Sequence, residues 1–455
     1  MHSCDTFALT GACYTGGANI LCKNSDRPLG ECQPLRYFPR QSHEPGKKLQ
    51  LTGQTIDQTE VTWAMLGSQP YWIWGFEMGV NEWGLAIGNE AEHSQFPAEE
   101  EEGILGMDLL RLALERAKTA REAIGVITHY LSLYGQNANA SMLGQQRYEN
   151  SFMLVDPKEI WVLETAGRMW VAKQVKDWAA ISNCYSIGTD FDLCHPELEG
   201  YARAHRWLAP DESFDFSKAC SKTAGHMGTA TRWRRMCQCI SQLGTLDEAA
   251  IKSIERDHYE GQIIEPRFGG TYGGFTTICM HAPTPTGSQT AASLLAHWDD
   301  TLGVVGRYAP SLPCCSVYLP VYMTGKLPDA MTRGAERYDP ESLWWRTEQL
   351  AMAISIDEER FGGPARAELR KLEEIIRDAT EDTEACARAL MAEGKAEEAQ
   401  ALLDELTAQA TADMLRLTQH LTQDILDAVA ALGGLYGPRA DFLRAYSERT
   451  GLPIV

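Results

Sequence analysis

A cysteine near the start of the chain offers the clearest chemistry in the sequence. Cys4 follows Met1, His2 and Ser3 and directly precedes a strand-like run. If those three residues were removed, the thiol and a free α-amine would share one carbon atom, and an amine with a pKa of about 8 can accept the thiol proton at neutral pH. An amide nitrogen cannot do this. By position alone, an ordinary strand cysteine near a terminus is the commoner case.

A polar cluster lies one hairpin further along the chain. It reads KNSDR and spans residues 23–27, and it includes Lys23 and Asp26. The strand-like runs 5–9 and 19–23 flank a Thr-Gly-Gly sequence at residues 15–17 that predicts the hairpin turn. Considered without further context, the sequence NSDRP (24–28) is equally typical of a simple turn.

The elements that must position these residues are mostly short strands. Runs with strand character, separated by Gly and Pro, continue to about residue 330 with a few amphipathic helices between them. Further predicted strands are 61–66, 85–89, 152–155, 160–164, 179–182 and 274–280. The clearest helix in this part is predicted over residues 106–121, where apolar residues recur at helical spacing. We expect it to pack on a sheet.

The composition changes after about residue 335. Strand patterns end there, and Glu, Ala, Leu and Arg dominate to about residue 432 with apolar residues at three- and four-residue steps. Gly394 interrupts the pattern between two long helices, which predicts a helical hairpin. The hairpin could pack on the preceding domain or form a homo-oligomer interface, and periodicity does not choose between them.

The totals restrict the class of protein. A net charge of −21, from 62 acidic and 41 basic residues, disfavours nucleic acid as a partner. No apolar run is long enough to span a membrane and no secretory signal begins the chain, so we expect a cytoplasmic protein. The 13 cysteines are scattered and show no zinc or redox spacing. We therefore expect no metal and no organic cofactor.

Several ordered blocks of sequence resemble the secernins, which belong to the peptidase family C69 dipeptidases within the N-terminal-nucleophile hydrolases. The blocks stay in order over most of residues 3–325. They are SCDTF (3–7), GG (16–17), KNSDRP (23–28), GVNEWGLAIGNE (79–90), GMDLLR (106–111), NSF (150–152), WVLET (161–165), ISN (181–183), TICMH (277–281) and SQT (288–290).

The resemblance implies a fold and a division of the chain. The fold would be α+β, a four-layer αββα sandwich in which two antiparallel sheets lie face to face between helices, with the nucleophile at the end of a central strand. We accordingly expect the hydrolase domain over residues 4–335, with residues 1–3 as a removable propeptide. Residues 336–455 would form an additional helical region at the C-terminus.

The resemblance also implies roles for Lys23 and Asp26. Related bile-salt and penicillin amidases carry an Arg and an Asp three residues apart on the second strand, and here Lys23 and Asp26 fill that spacing. Asp26 would orient the α-amine and the thiol of Cys4, while Lys23 would favour the thiolate. Lysine lacks the planar fork of arginine, which weakens any clamp on a substrate carboxylate at this position.

Three further residues occupy positions that the amidase relatives use. Asn89 and Asn183 each follow a predicted strand and would donate to the oxyanion that forms during acyl transfer. Arg232, in the sequence TRWRR (231–235), corresponds loosely to another amidase-site arginine, with its two neighbouring arginines facing solvent. Without the resemblance, each Asn is typical of a turn or helix cap and Arg232 of a solvated helical face.

Other polar residues are open to more than one interpretation. Asn81 more often shapes the turn at residues 81–84 than contacts a substrate. His281 could form a dyad with a cysteine, but an N-terminal nucleophile has its own base, which favours a structural or substrate-contacting role. Glu164 lies on a predicted strand, and the sequence does not separate a structural role from a site role.

The sequence therefore predicts a cysteine amidohydrolase that cleaves a small peptide or amide bond through a Cys4 acyl-enzyme. The family implies dipeptides as substrates. One alternative is the hydrolysis of apolar N-acyl amides, for which Trp72, Trp74 and Trp83 could line a pocket. The other is a non-catalytic interaction protein, since secernins are associated with regulated secretion and a fold can persist after its site is repurposed.

Overall fold

The computed structural model describes residues 4–97, 99, 101–222, 227–263, 265 and 276–454, with the side chains of residues 227–229 left aside. The expected propeptide, residues 1–3, lies outside the described residues. The strands are β1 (Cys4–Leu9), β2 (Ile20–Pro28), β3 (Leu35–Phe38), β4 (Gln41–Ser42), β5 (Lys48–Gln50), β6 (Thr55–Asp57), β7 (Val61–Thr62), β8 (Met65–Ser68), β9 (Met78–Asn81), β10 (Ala86–Glu92), β11 (Glu149–Val155), β12 (Ile160–Ala166), β13 (Met169–Val175), β14 (Trp178–Ile181), β15 (Leu193–Cys194), β16 (Ser288–Asp299), β17 (Gly303–Pro310) and β18 (Leu319–Tyr322).

The helices lie between the strands and, in the last quarter of the chain, follow one another. They are α1 (Gly106–Arg116), α2 (Ala120–Tyr134), α3 (Leu198–Ala204), α4 (Phe216–Cys220), α5 (Met227–Leu243), α6 (Glu248–Glu255), α7 (Asp329–Thr332), α8 (Leu343–Ile354), α9 (Glu358–Ala392), α10 (Ala396–Ala431) and α11 (Ala440–Thr450). A single 3₁₀ turn, Pro313–Cys315, separates β17 from β18.

The sheet that carries Cys4 has six antiparallel strands in the order β14-β1-β2-β16-β17-β18. The hairpin between β1 and β2 forms as the Gly-containing turn predicts, with Gly17 at a φ of 72°. Its register sets Cys4 opposite Ser25, and Thr6 opposite Lys23. The polar cluster 23–27 is therefore buried strand and not a turn.

The second sheet has eight antiparallel strands in the order β15-β13-β12-β11-β10-β9-β8-β3. Its strands β10 and β11 lie against β1 and β2 of the first sheet. Alternation along β1 explains the layers, because successive strand residues point to opposite faces. Ala8 faces the core between the two sheets, whereas Phe7 and Leu9 face a second core beneath α5 and α6.

Helices cover the outer face of each sheet. The apolar residues of α1 and α2 pack on β9, β10 and β12, and those of α5 and α6 pack on β1, β2 and β14. The order of layers is therefore helices, sheet, sheet, helices, and the α+β four-layer prediction is confirmed. The single helix predicted over 106–121 is wrong, because Ala117 is extended and Thr119 caps a new helix by accepting from Glu122 N at 3.1 Å.

Two strand predictions also need correction. The run 61–66 forms the two separate strands β7 and β8. The strand predicted over 274–280 lies partly outside the described residues, and residues 276–280 contain no strand.

The C-terminal helices pack on the sandwich. Helices α9 and α10 form the predicted hairpin, with Gly394 between them at a φ of 77°. Helix α10 lies on β18, where Thr407 Oγ1 donates to Pro320 O at 3.0 Å. The apolar core between the sheets continues into these helices through Trp344 and Tyr446. A homo-oligomer interface through the same helices stays a prediction.

None of the helices in the described part of the chain has both the length and the apolar character needed to cross a membrane.

Candidate active site

Cys4 lies at the first position of β1 and is buried. Its backbone nitrogen donates to Asn183 Oδ1 at 2.9 Å. Its Sγ accepts from the backbone nitrogen of Asp26 at 3.2 Å, and Glu77 Oε2 lies 4.0 Å from the same sulfur. The nitrogen that would become the α-amine therefore already has a side-chain acceptor.

Arg232 holds the carboxamide of Asn183 in place. Its Nη2 donates to Asn183 Oδ1 at 2.8 Å and its Nη1 donates to Asp5 Oδ2 at 2.7 Å, in a site from which solvent is excluded. Asn183 Nδ2 in turn donates to Ala91 O at 2.8 Å. Because both partners of Oδ1 are N–H donors and the partner of Nδ2 is a carbonyl, only this orientation of the amide satisfies every partner.

The structure gives Asn183 a contact beyond its expected role and corrects the expectation for one arginine near Arg232. Asn183 was expected to donate to an oxyanion; its oxygen accepts from Cys4 N, and its Nδ2 uses one of its two N–H groups on Ala91 O. The oxyanion role of Asn183 stays a prediction. Of the two neighbours of Arg232, Arg234 is exposed as expected. Arg235 instead forms an ion pair with Asp257 at 2.5 Å, so the expectation that both face solvent is wrong for this residue.

Asp26 connects the thiol to the neighbouring strand β16. Its Oδ1 accepts from Thr290 Oγ1 at 2.6 Å, whereas its Oδ2 lies 3.7 Å from Arg232 Nη1 and has no hydrogen-bond partner in the described part of the chain. Burial raises the pKa of Asp26 well above its usual value, although the charge of Arg232 opposes this. One oxygen of this carboxyl group is thus left for a ligand or for the α-amine.

Lys23 lies between the two sheets and is fully buried. Its Nζ donates to Asn89 O at 2.6 Å and to Glu90 Oε1 at 3.3 Å. Burial lowers the pKa of Lys23, but the neighbouring acidic groups of Cys4, Glu90 and Glu77 raise it by more, so the net shift of the pKa is upward and the ammonium form persists. Its donors face protein acceptors, which argues against a clamp on a substrate carboxylate.

Asn89 follows Lys23 in the same buried layer, on β10. Its Nδ2 donates to Asn150 Oδ1 at 3.1 Å, and its Oδ1 accepts no hydrogen bond from the described residues. A carboxamide has two N–H groups, so one donor of Asn89 is still available for a developing charge.

Sequence reasoning missed a set of buried charges that surround the thiol. Arg27 donates to Glu77 Oε1 at 3.1 Å, to Glu31 Oε1 at 2.8 Å and to Ala140 O at 3.0 Å. Glu90 pairs with Lys23 and accepts from the hydroxyl of Thr6. Arg27 and Glu90 lie inside the family-like blocks and could have been considered, but nothing in the sequence around Glu77 indicates its position.

Burial, together with the neighbouring carboxyl groups, favours the protonated form of the thiol. Burial raises the pKa of the Cys4 thiol well above its usual value; Lys23 opposes the shift, and the carboxyl groups of Glu90, Glu77 and Asp26 add to it. A buried thiol with an amide on its own α-carbon has no base there to take its proton.

Asn81 and the three tryptophans that the sequence singled out make contacts typical of residues with a structural role. Asn81 Oδ1 accepts from Trp83 N at 3.0 Å and its Nδ2 donates to Leu114 O at 2.9 Å, a contact set typical of a turn-shaping residue. Trp72 donates to Glu31 and Trp74 lies under the guanidinium of Arg111, while Trp83 is partly exposed against Trp63. The three tryptophans thus contact different partners.

The model of peptidase family C69 matches residues 56–229 of this chain. This segment is similar to peptidase family C69, in agreement with the family expected from the sequence, and membership of the secernins stays a prediction. The C69 segment includes Glu77, Asn89 and Asn183; Cys4 precedes it, and Arg232 lies three residues beyond its end.

A curated dipeptidase from Bifidobacterium longum (strain NCC 2705) is 29% identical to this chain over 218 residues. The match covers 42% of this chain and 39% of the relative, so the chain spans well under half the length of that dipeptidase.

Solved structures of low identity also match. A mutant of the conjugated bile acid hydrolase from Clostridium perfringens is 11% identical with a TM-score of 0.41, covering 74% of this chain and 95% of its own. An N-acylethanolamine-hydrolyzing acid amidase orthologue from Caenorhabditis elegans is 9% identical with a TM-score of 0.32, covering 64% of this chain and 91% of its own.

Proposed function

We propose that this protein is a cysteine-type N-terminal-nucleophile hydrolase that cleaves small peptides, with dipeptides as the substrate class. Cys4 is the nucleophile once residues 1–3 have been removed. The observation that carries the proposal is the hydrogen bond from Cys4 N to Asn183 Oδ1 at 2.9 Å, with Arg232 fixing the same oxygen. The acceptor for the α-amine is therefore in place before residues 1–3 are removed. The match of residues 56–229 to peptidase family C69 supports the same reaction class.

The α-amine acts as the base in this scheme. It accepts the proton of the Cys4 thiol, and the resulting thiolate sulfur attacks the carbonyl carbon of the substrate amide. The protonated amine then gives its proton to the leaving nitrogen as the carbon–nitrogen bond breaks, which leaves a thioester on Cys4. Water, deprotonated by the same amine, hydrolyses the thioester and releases the carboxylic acid.

The surrounding side chains act on charge and orientation. Asn183 orients the amine through its oxygen, and Asp26, with one oxygen unpartnered among the described residues, stabilises the ammonium that forms. Asn89 has a donor available for the oxyanion of the tetrahedral intermediate. Lys23, permanently charged, favours the thiolate over the thiol.

A comparison of cysteine variants tests the proposal. The full-length protein is assayed against a panel of dipeptides beside Cys4→Ala and, as the matched control, Cys22→Ala. Cys22 is a buried thiol on the neighbouring strand β2 whose side chain faces the core beneath α5 and α6. We expect Cys4→Ala to lose at least about 10³-fold in kcat/KM while Cys22→Ala keeps most of it.

Folding of each variant is followed by its thermal unfolding transition, so that a loss of activity is not confused with a loss of structure. Dipeptide turnover that survives in Cys4→Ala would place the nucleophile elsewhere.

A further inference from the structure

A second group of cysteines and histidines lies outside the site around Cys4. His258 follows α6, Cys279 and His281 precede β16, and Cys314 is in the 3₁₀ turn Pro313–Cys315. One ligand atom from each of the four residues lies within 4.8 Å of every other. Three segments that are distant in sequence thus bring two thiols and two imidazoles to one point.

Three of the separations between these atoms agree with a tetrahedral metal site. His258 Nε2 lies 3.1 Å from His281 Nε2, and His281 Nε2 lies 3.3 Å from Cys314 Sγ and 4.0 Å from Cys279 Sγ. A tetrahedral zinc with Zn–N near 2.05 Å and Zn–S near 2.3 Å requires about 3.3 Å between two nitrogens and about 3.6 Å between nitrogen and sulfur. The observed distances lie within about 0.4 Å of these values.

The histidine–carboxylate pair next to the cluster is a separate observation that also favours a metal. His258 Nδ1 lies 3.0 Å from Glu260 Oε1, so the ring donates its Nδ1–H to the carboxylate and directs the lone pair of Nε2 into the cluster. A carboxylate behind a histidine is the usual arrangement at zinc sites, where it fixes the tautomer and makes the ring a better ligand.

The chemistry of the donor set selects the ion. Two thiolates and two neutral imidazoles favour zinc over magnesium or calcium, which prefer oxygen ligands, and two thiolates cancel the charge of a divalent ion in a buried place. His258, Cys279 and Cys314 are all buried, which agrees with a closed site rather than a surface site. Four protein ligands leave no open position for water or substrate.

We propose that His258, Cys279, His281 and Cys314 bind one zinc ion in a closed structural site. The ion joins the loop after α6, the segment before β16 and the 3₁₀ turn. A sequence search for zinc spacing misses this set because only Cys279 and His281 are close in the chain.

The site would also support the position of Asp26. Met280, between two of the ligands, donates through its backbone nitrogen to Thr290 Oγ1 at 2.9 Å and accepts from Thr290 N at 2.9 Å. The hydroxyl of Thr290 donates in turn to Asp26 Oδ1 at 2.6 Å. The metal therefore acts on the active site through one backbone segment and one threonine.

The metal content of the full-length protein tests the proposal. Protein without a histidine tag is purified under reducing conditions and its zinc is measured by elemental mass spectrometry beside Cys314→Ser and Cys315→Ser. We expect close to one zinc per chain in the wild type, a loss of most of it in Cys314→Ser, and retention in Cys315→Ser. Cys315 is the matched control, because it is buried next to Cys314 with its sulfur 3.6 Å away and is outside the ligand set.

Two further measurements decide the matter if Cys314→Ser fails to fold. His281→Cys exchanges one zinc ligand for another and should keep the metal, whereas His281→Ala should not. Wild type stripped with a chelator should bind added Co²⁺ and show the visible absorption of tetrahedral cobalt with thiolate ligands. Wild type that carries no zinc and takes up neither Zn²⁺ nor Co²⁺, or a Cys279–Cys314 disulfide in peptide mapping, would overturn the proposal.

Discussion

Two buried sites in this protein contain cysteine side chains, and their surroundings differ. Around Cys4, one thiol is surrounded by carboxyl groups and by the two cations Lys23 and Arg232. Around Cys314, two thiols and two imidazoles converge, and the carboxylate of Glu260 contacts one of the imidazoles, that of His258. The same side chain is thus arranged in the first group to hold a proton until a base is supplied, and in the second to share its electron pair with a cation.

The difference shows that burial alone does not assign a role to a cysteine. Both groups are largely buried, and Thr290 on β16 connects them through its contacts with Met280 and Asp26. The two groups differ in what their neighbours contact. Around Cys314 the neighbouring side chains converge on the sulfur as ligands, whereas around Cys4 they hold the backbone nitrogen of the cysteine. Four changes to the chain or its conditions test whether the two groups differ in this way.

The largest effect is expected from Arg232→Ala. Arg232 is fully buried and pairs with Asp5 and Asn183, so its removal leaves a buried carboxylate without its cation and should lower the free energy of unfolding by about 3–5 kcal/mol. Denaturant unfolding measures this. Arg234→Ala, an exposed arginine on the same helix, is the control and should change stability by less than about 0.5 kcal/mol. Equal effects of the two variants would mean that the cation does not support the Cys4 group.

Removal of the metal should affect the second group in a way that the first does not share. With free zinc at about 100 times its dissociation constant, the ion contributes about 2.7 kcal/mol to folding, and a strong chelator should remove that contribution. Thermal unfolding with and without chelator measures the change. Cys4→Ala should respond as the wild type does, and Cys314→Ser should not respond. A chelator effect that persists in Cys314→Ser would place the metal elsewhere.

Glu164 is a buried acid that belongs to neither group, and it should make the stability of the protein depend on pH. Glu164 accepts from Ser186 N, Ser186 Oγ and Ile187 N, yet burial raises its pKa to about 7. Between its unfolded pKa of about 4.3 and pH 7, the native state holds a proton that the unfolded state has lost, so stability falls as pH rises through this window.

For this one group the fall between pH 5 and pH 7 is about 2 kcal/mol, and Glu164→Gln should remove it. Urea unfolding of wild type and variant at both pH values gives the change in the free energy of unfolding between pH 5 and pH 7 for each protein. The same change in both proteins would show that Glu164 is ionised when folded.

The smallest effect is expected from Thr290→Val, which cuts the link between the two groups. The hydroxyl of Thr290 donates to Asp26 and accepts from Met280 N, and its loss should cost about 1 kcal/mol and lower kcat more than it raises KM. Thr290→Ser keeps the hydroxyl and should restore kcat. Zinc content should stay at the wild-type value in both variants. If Thr290→Val released the metal, the two groups would form a single site.

Sequence reasoning reached the parts of the molecule whose residues are close in the chain. The hairpin of β1 and β2, the α9–α10 hairpin broken at Gly394, and the layer order implied by the family all agree with the structure. Periodicity failed at Ala117, because alanines continue a helical pattern through a break that Thr119 caps. Residues 24–28 were left open between a strand and a turn, because NSDRP contains residues typical of turns, and the structure shows a buried strand.

The sites were harder to predict, because they depend on contacts between distant segments. Position alone made Cys4 a candidate, whereas the roles of Lys23, Asp26, Asn183 and Arg232 came only from the resemblance. The structure places the atoms of these five residues within one connected set of contacts. The orientation of the Asn183 amide depends on Arg232, which is 49 residues away. Neither Glu77 nor the convergence of His258 with Cys314 has a local signal.

The central claim is that Cys4 becomes the first residue of the protein, and the most direct test is the intact mass and N-terminal sequence of purified wild type. We expect a mass lower by Met1, His2 and Ser3 and a sequence that begins Cys-Asp-Thr-Phe. Cys4→Ala, measured beside it, reports whether removal of Ser3 needs the thiol. A catalytically active wild-type chain that still begins at Met1 or His2 would contradict the account, because its Cys4 would carry no α-amine to act as the base.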